Sequence, residues 1–278
     1  AAVDHDIPVC LSTFGSSSIE DIGKRASGNG WFQLYVGPSI DDAMGLVQRA
    51  EDAGYEYLLL TVDVPVVSAR LREQRQGFER PFRMRPRQFL DFAVHPQWVL
   101  HTLVNGVPKP ANVVPTGNEG NKSTFTRNKI RGHIDWQFLD RLRERWAGKL
   151  ILKGVLSADD AVRIRDAGAD AVYVSNHGGR QLDAAPAAID VLPAIRQAVG
   201  ADYPLIFDSG IRSGEGIVKA LALGADFVML GRPFLYASGA DGQRGVYRLV
   251  ELLKNDLLLV LAQIGCIDVS QIDHNVLA

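Results

Sequence analysis

The chain has 278 residues, 46% of them hydrophobic and 22% charged, and its 30 basic and 32 acidic side chains leave a net charge of −2. So even a balance argues against nucleic acid as the main partner. Cys10 and Cys266 are too far apart to suggest a disulfide framework or a zinc site, and no apolar run approaches the ~20 residues of a membrane-spanning helix. Residues 1–8 lack the basic-then-apolar pattern of a secretory signal, so the expectation is a soluble or peripheral cytoplasmic protein. The length suits a single α/β barrel of about 250 residues.

In chain order, short apolar runs occupy 9–12, 31–36, 57–63, 150–154, 171–176, 205–209 and 227–231. Most are too short for helices and rich in Val, Ile, Leu, Tyr and Phe, which predicts buried strands. Amphipathic stretches lie between them. Ser17-Ser18, Ser39 and Ser157, each followed by acidic residues, mark helix starts. Gly54, Gly168 and Gly224 mark helix ends. The segments A-G-A-D-A-V-Y-V-S and L-G-A-D-F-V-M-L-G are near copies, and no G-x-G-x-x-G follows the first strand. Strand–helix alternation with an internal repeat predicts a closed parallel barrel rather than an open dinucleotide-binding sheet. Seven strands are predicted where such a barrel has eight, which places the missing strand before Val9.

One segment, 64–134, breaks the rhythm. It carries an arginine-rich part over 70–87, an apolar and aromatic part over 89–104, and a part rich in Pro, Asn, Gly, Ser and Thr over 108–129. Two readings are open: a lid or surface loop over the barrel mouth, and an interfacial membrane anchor whose arginines meet anionic headgroups.

In barrels of this kind chemistry gathers at the C-terminal ends of the strands. Those positions hold Ser12, Gln33, Tyr35, Thr61, Asp63, Lys153, Ser175, Asn176, His177, Arg180, Asp208, Arg212, Gly231 and Arg232, a convergence of polar groups that points to an active site. The last two strands end in D-S-G-I-R (208–212, with Gly210) and in Gly231-Arg232, glycine-bearing turns suited to a phosphate. His177 alone of the six histidines stands squarely at a strand end. With Asp63 to orient it, His177 reads as a general base. Lys153 in a buried setting suits either Schiff-base chemistry or support of an anionic cofactor.

These motifs carry a resemblance. S-N-H-G-G-R-Q-L-D (175–183) resembles the active-site motif of the FMN-dependent L-2-hydroxy-acid dehydrogenase/oxidase family. W-F-Q-L-Y-V (31–36), T-V-D (61–63), L-K-G (152–154), D-S-G-I-R (208–212), K-A-L-A-L-G-A-D (219–226) and L-G-R (230–232) resemble it in the same order. The coverage runs from the first residues to Cys266. Within the family, H-P-Q-W (95–98) and Asn105-Gly106 are similar to the membrane-associated bacterial lactate and mandelate dehydrogenases.

The resemblance implies a (β/α)8 barrel that binds FMN and oxidises an L-2-hydroxy acid, of mandelate or lactate type, to the 2-keto acid. Ser12, Gln33 and Thr61 would bond the flavin ring, and Lys153 would stand at its N1/O2 side. Ser175, Asp208, Gly210, Arg212, Gly231 and Arg232 would complete the cofactor site. Arg70 and Arg180 would bind the substrate carboxylate, Tyr35 the substrate oxygen, and His177, backed by Asp63, would be the base. No metal is implied. A dehydrogenase passing electrons to a quinone is favoured over an oxidase. The protein would be a homo-oligomer, tetrameric by the same resemblance, in peripheral contact with the inner face of the cell membrane through 70–130.

The family also carries an N-terminal segment before the position of Ala1. It holds the first barrel strand and an active-site Tyr, so the expectation is a fragment of a full-length enzyme. The alternatives are a non-catalytic barrel subunit completed by a separate segment, and a flavin- or phosphate-binding barrel of another reaction type.

Overall fold

A computed structural model describes residues 1–66, 68, 75, 86–113, 132 and 134–277. All seven predicted strands are present: β1 (Val9–Ser12), β2 (Gly30–Leu34), β3 (Tyr57–Thr61), β4 (Lys149–Val155), β5 (Ala171–Val174), β6 (Leu205–Phe207) and β7 (Phe227–Val228). They pair in parallel in the order β1 to β7, with sequential neighbours throughout, the order of a singly wound barrel wall. The sheet curls as a barrel wall, and among the described residues β1 and β7 are not paired with each other. Most strands stop short of their apolar runs because the polar residues beyond turn away to the rim. β4 instead runs on through Lys153 to Val155, with a register shift between the two.

The helices are α1 (Ile19–Ala26), α2 (Ile40–Asp52), α3 (Pro86–Ala93), α4 (Pro96–Asn105), α5 (Trp136–Arg145), α6 (Ala158–Asp166), α7 (Ala188–Val199), α8 (Gly214–Ala222) and α9 (Arg232–Gln263), the last kinked at Asp241 and Gly242. Ser18, Ser39 and Ser157 cap α1, α2 and α6, each accepting from the backbone N–H three residues on. Such caps are worth about 1 kcal/mol each. Asp135 and Ser213 do the same for α5 and α8, and these two starts were not among the predicted ones.

Alternation along the strands sorts the side chains into two layers. Phe32, Leu34, Leu58, Leu60, Leu150, Leu152, Val172, Val174, Leu205 and Phe207 point outward into the main core beneath the helices. Each such side chain, removed from water, contributes about 1.5–3 kcal/mol before entropy is counted. Trp31, Leu59, Ile151, Ala171, Tyr173 and Ile206 face the barrel interior. Two residues further along each strand, the inward side chain becomes polar: Gln33, Thr61, Lys153, Ser175 and Asp208. The period of two therefore places an apolar plug low in the barrel and a polar ring directly above it.

The duplicated Gly-Ala-Asp segments have a structural reason. Asp170 Oδ2 accepts from Leu150 N at 2.9 Å and from Arg143 at 2.8 Å; Asp226 Oδ2 accepts from Leu205 N at 2.7 Å and from Arg196 at 2.5 Å. Arg143 also reaches the carbonyls of Trp146 and Gly148, and Arg196 those of Gly200, Ala201, Tyr203 and Gly224. Each copy is thus a staple that ties the start of one strand to its neighbour, on the face of the barrel opposite the polar ring.

The long insert is not structureless. The apolar stretch folds as α3 and α4, with the Phe92 and Trp98 rings tilted against each other at a centroid distance of 4.9 Å. Phe89, Leu90, Val94, Trp98, Leu100, Leu103, Val104 and Val107 are all exposed. At the far end of α4's loop, buried Asn112 fastens the insert to the barrel body: its carbonyl accepts from Ile19 N at 2.9 Å and its amide donates to Ser17 O at 3.1 Å. Arg70, most of the arginine-rich part and residues 114–131 lie outside the described residues. Among the described residues no helix is long and apolar enough to cross a membrane.

Candidate active site

At the rim, three groups of predicted residues come together. The first is a buried hydrogen-bonded row. Ser12 Oγ donates to Gln33 Oε1 at 2.8 Å, and Gln33 Nε2 donates to Thr61 Oγ1 at 2.8 Å. Ser12 lies opposite Gln33 in the β1–β2 register, which fixes the row by backbone pairing. Both ends of the Gln33 amide are therefore assigned, and its orientation is set before any ligand arrives.

The second group is a dyad with a hydroxyl beside it. His177 Nδ1 stands 3.1 Å from both oxygens of Asp63, each side chain being 12% exposed. A carboxylate at Nδ1 fixes the tautomer with the proton there and leaves Nε2 as the acceptor. Nε2 is 3.4 Å from the Tyr35 hydroxyl. His177 has φ 58°, followed by Gly178 at 64° and Gly179 at 69°, so a non-glycine residue is held in left-handed backbone at the centre of the site. Such strain persists only where the surroundings enforce it. Here Asn176 Oδ1 accepts from Gly179 N, Ser175 Oγ from His177 N, and Ser209 Oγ from both Asn176 N and Gly178 N.

The third group is charged. Lys153 Nζ bonds Ser175 Oγ at 2.7 Å and Asp208 Oδ2 at 3.0 Å. Burial alone would raise the Asp208 carboxyl. The Lys153 charge and hydrogen bonds from Ser175, Lys153 and Ser209 outweigh that and hold it below the ordinary range. Beyond it, Ser209 (φ 87°) and Gly210 (φ 92°) form a second left-handed turn. Gly231 stands just before α9, at a helix start with no side-chain cap, and nothing lies within 4 Å of where a Cβ would stand at Gly210 or Gly231. Arg232 lies across Gly178 and donates to its carbonyl at 2.6 Å, joining this turn to the His177 turn.

Arg212 is exposed and donates to Ile211 O at 2.7 Å. Arg180 is exposed and closes the turn that follows His177. Arg70 lies outside the described residues.

Several residues that matter here were not singled out in the sequence. Gln181 donates to Asp63 O at 3.2 Å. Gly154 (φ 102°) lies so close to Asp63 that a Cβ would come within 2.5 Å of its Cβ and Cγ. Tyr173 donates to Asp208 Oδ2 at 2.9 Å. Gln181 and Gly154 carried a signal as members of the motifs at 175–183 and 152–154, and Tyr173 carried none.

The arrangement brings together an imidazole paired with a carboxylate, a largely buried ammonium and an open glycine-lined turn next to arginine. Comparison with known proteins finds relatives over the whole chain. The FMN-dependent dehydrogenase family matches residues 1–278. The (S)-mandelate dehydrogenase of Pseudomonas putida is 41% identical over 279 residues, covering 100% of this chain and 70% of that protein. An L-lactate dehydrogenase of Pseudomonas syringae pv. syringae is 38% identical over 283 residues, covering 100% of this chain and 74% of that protein. A crystal structure of the monotopic membrane protein (S)-mandelate dehydrogenase superposes with a TM-score of 0.91 at 40% identity, over 99% of this chain and 73% of that one.

Proposed function

The chain belongs to the FMN-dependent dehydrogenase family, and from that premise we propose that it oxidises an L-2-hydroxy acid of mandelate or lactate type to the 2-keto acid, with His177 as the base. The observation that carries the reading is the Asp63–His177–Tyr35 arrangement, which leaves Nε2 as an acceptor beside a hydroxyl.

The donor set fits FMN. The Gln33 amide, fixed between Ser12 and Thr61, suits the pyrimidine edge of the ring. The Lys153 ammonium suits the side where negative charge gathers on reduction. The open turns at Gly210 and Gly231, with Arg212 and Arg232, suit the phosphate. When bound, FMN supplies the two-electron acceptor. The protein's part is to hold the substrate and move its proton. Arg180 and Arg70 bind the carboxylate, Tyr35 fixes the hydroxyl oxygen, and His177 Nε2 takes a proton while Asp63 stabilises the imidazolium that results.

Anaerobic mixing of the FMN-loaded protein with (S)-mandelate or L-lactate should bleach the oxidised flavin absorbance. An unchanged spectrum with both acids would refute the reading.

The exposed apolar face of α3 and α4 favours peripheral membrane contact over a simple lid, because a lid would turn that face toward the barrel. Electrons would then leave to a quinone in the membrane, and the assembly would be a homo-oligomer. Replacing Trp98 and Leu103 with Glu should release the protein from anionic vesicles; unchanged binding would return α3 and α4 to the role of a lid.

A further inference from the structure

Tyr173 lies on the inward face of β5, 3% exposed and opposite Lys153 in the β4–β5 register. It stands among apolar neighbours, Trp31, Leu59, Ile151 and Ile206, where a phenylalanine would pack as well. Its hydroxyl is nonetheless committed: it donates to Asp208 Oδ2 at 2.9 Å, the same oxygen that Lys153 Nζ bonds at 3.0 Å. The Lys153 ammonium sits 4.1 Å from the centre of the Tyr173 ring. Ser209 Oγ donates to the other Asp208 oxygen at 2.9 Å. Burial first, and the Asp208 charge next, push the Tyr173 hydroxyl well above its ordinary value, so it stays protonated as a fixed donor.

Asp208 is therefore shared among several donors, Tyr173, Lys153 and Ser209 among them, and Lys153 is held from below by a ring and from the side by a carboxylate. In a poorly solvated interior, a carboxylate that gives part of its charge to a hydroxyl draws less on its ammonium partner. The ring face adds a geometric restraint on Nζ.

We propose that Tyr173 is a positioning residue that raises the reduction potential of the bound flavin, by drawing Asp208 charge away from Lys153 and leaving the ammonium free to stabilise negative charge on the reduced ring. The proposal rests on the reading that Lys153 faces the flavin.

The test is the two-electron midpoint potential of the FMN-loaded protein, measured by dye-equilibrated reduction. Tyr173→Phe keeps the ring and removes one oxygen. It should shift the reduced-to-oxidised equilibrium about tenfold toward oxidised, about 30 mV for a two-electron couple, with FMN still bound. Incorporating 3-fluorotyrosine at 173, a stronger donor, should move the potential the other way. Lys153→Met serves as the reference. If it lowers the potential while Tyr173→Phe and the fluorinated residue leave it unmoved, the role of Tyr173 is wrong. If Lys153→Met itself has no effect, the placement of Lys153 fails and the proposal fails with it.

Discussion

Replacing Asp63 with Asn keeps the shape of the side chain and removes its charge, which isolates what the carboxylate does for His177. Nδ1 lies 3.1 Å from both Asp63 oxygens, and each side chain is 12% exposed, so water screens the pair only partly. At an effective dielectric constant of about 20, two unit charges about 4 Å apart attract by about 4 kcal/mol. That attraction becomes available only as His177 takes the proton, so losing it slows the step by about 10³. The Asp63→Asn substitution brings a second fault. The new amide can donate to Nδ1, which would leave the ring proton on Nε2 and disable the acceptor. The expectation is a flavin-reduction rate constant at least about 10³ lower in anaerobic stopped flow, with FMN retained and the melting temperature little changed. Reduction within about tenfold of the parent would cost the dyad less than about 1.4 kcal/mol by the same relation, and would refute the role given to Asp63.

Gly154→Ala should slow reduction through the same dyad. It places a Cβ in left-handed backbone (φ 102°) and against Asp63, so a stability loss of about 1–3 kcal/mol is expected with it; a variant with the parent's melt and rate would show that the close approach is not needed. Arg196→Ala removes bonds to four loop carbonyls and to Asp226. At about 1 kcal/mol per bond, with discounts for exposure, it should cost about 2–4 kcal/mol in urea unfolding while leaving the bound flavin's spectrum unchanged. Acid should weaken the fold. Asp208 is held low by the forces described above. Asp170 is held low although burial opposes it, because Leu150 N–H, Lys149 and Arg143 bond the carboxylate. Glu20 is lowered to about 2 by its hydrogen bonds from Arg49. Groups lowered in the folded state stabilise it above their ordinary values, and that contribution is lost as pH falls from about 4.5 toward 2. Urea midpoints should fall across that window, less steeply in Asp208→Asn; a flat midpoint would contradict the assignment.

The central strands were legible because they bury both faces, so an unbroken apolar run announces them; β2, entirely buried, is the plainest case. Their ends were read too long. Asp63, Asn176 and Ser209 continue the apolar run by position, but they turn out of the sheet to make the site. His177 was legible as a histidine at a strand end, whereas its left-handed backbone was not, since φ depends on Ser209 and Asn176 closing the turn from either side. The staples at Asp170 and Asp226 showed only as a repeat, because their arginines lie more than twenty residues away in sequence. Tyr173 was invisible for a different reason. A tyrosine in a strand reads as packing, and nothing local reveals that its hydroxyl meets a carboxylate on the next strand. α3 and α4 merge into one apolar stretch in the sequence because their exposed faces break the periodicity that a buried helix would show.

The central claim is that His177 removes the substrate proton. The most direct measurement is anaerobic reduction of the FMN-loaded His177→Ala variant by (S)-mandelate or L-lactate, compared with the parent. The parent should be reduced, and the variant, still carrying flavin, should not. Reduction of the variant at the parent's rate would contradict the claim.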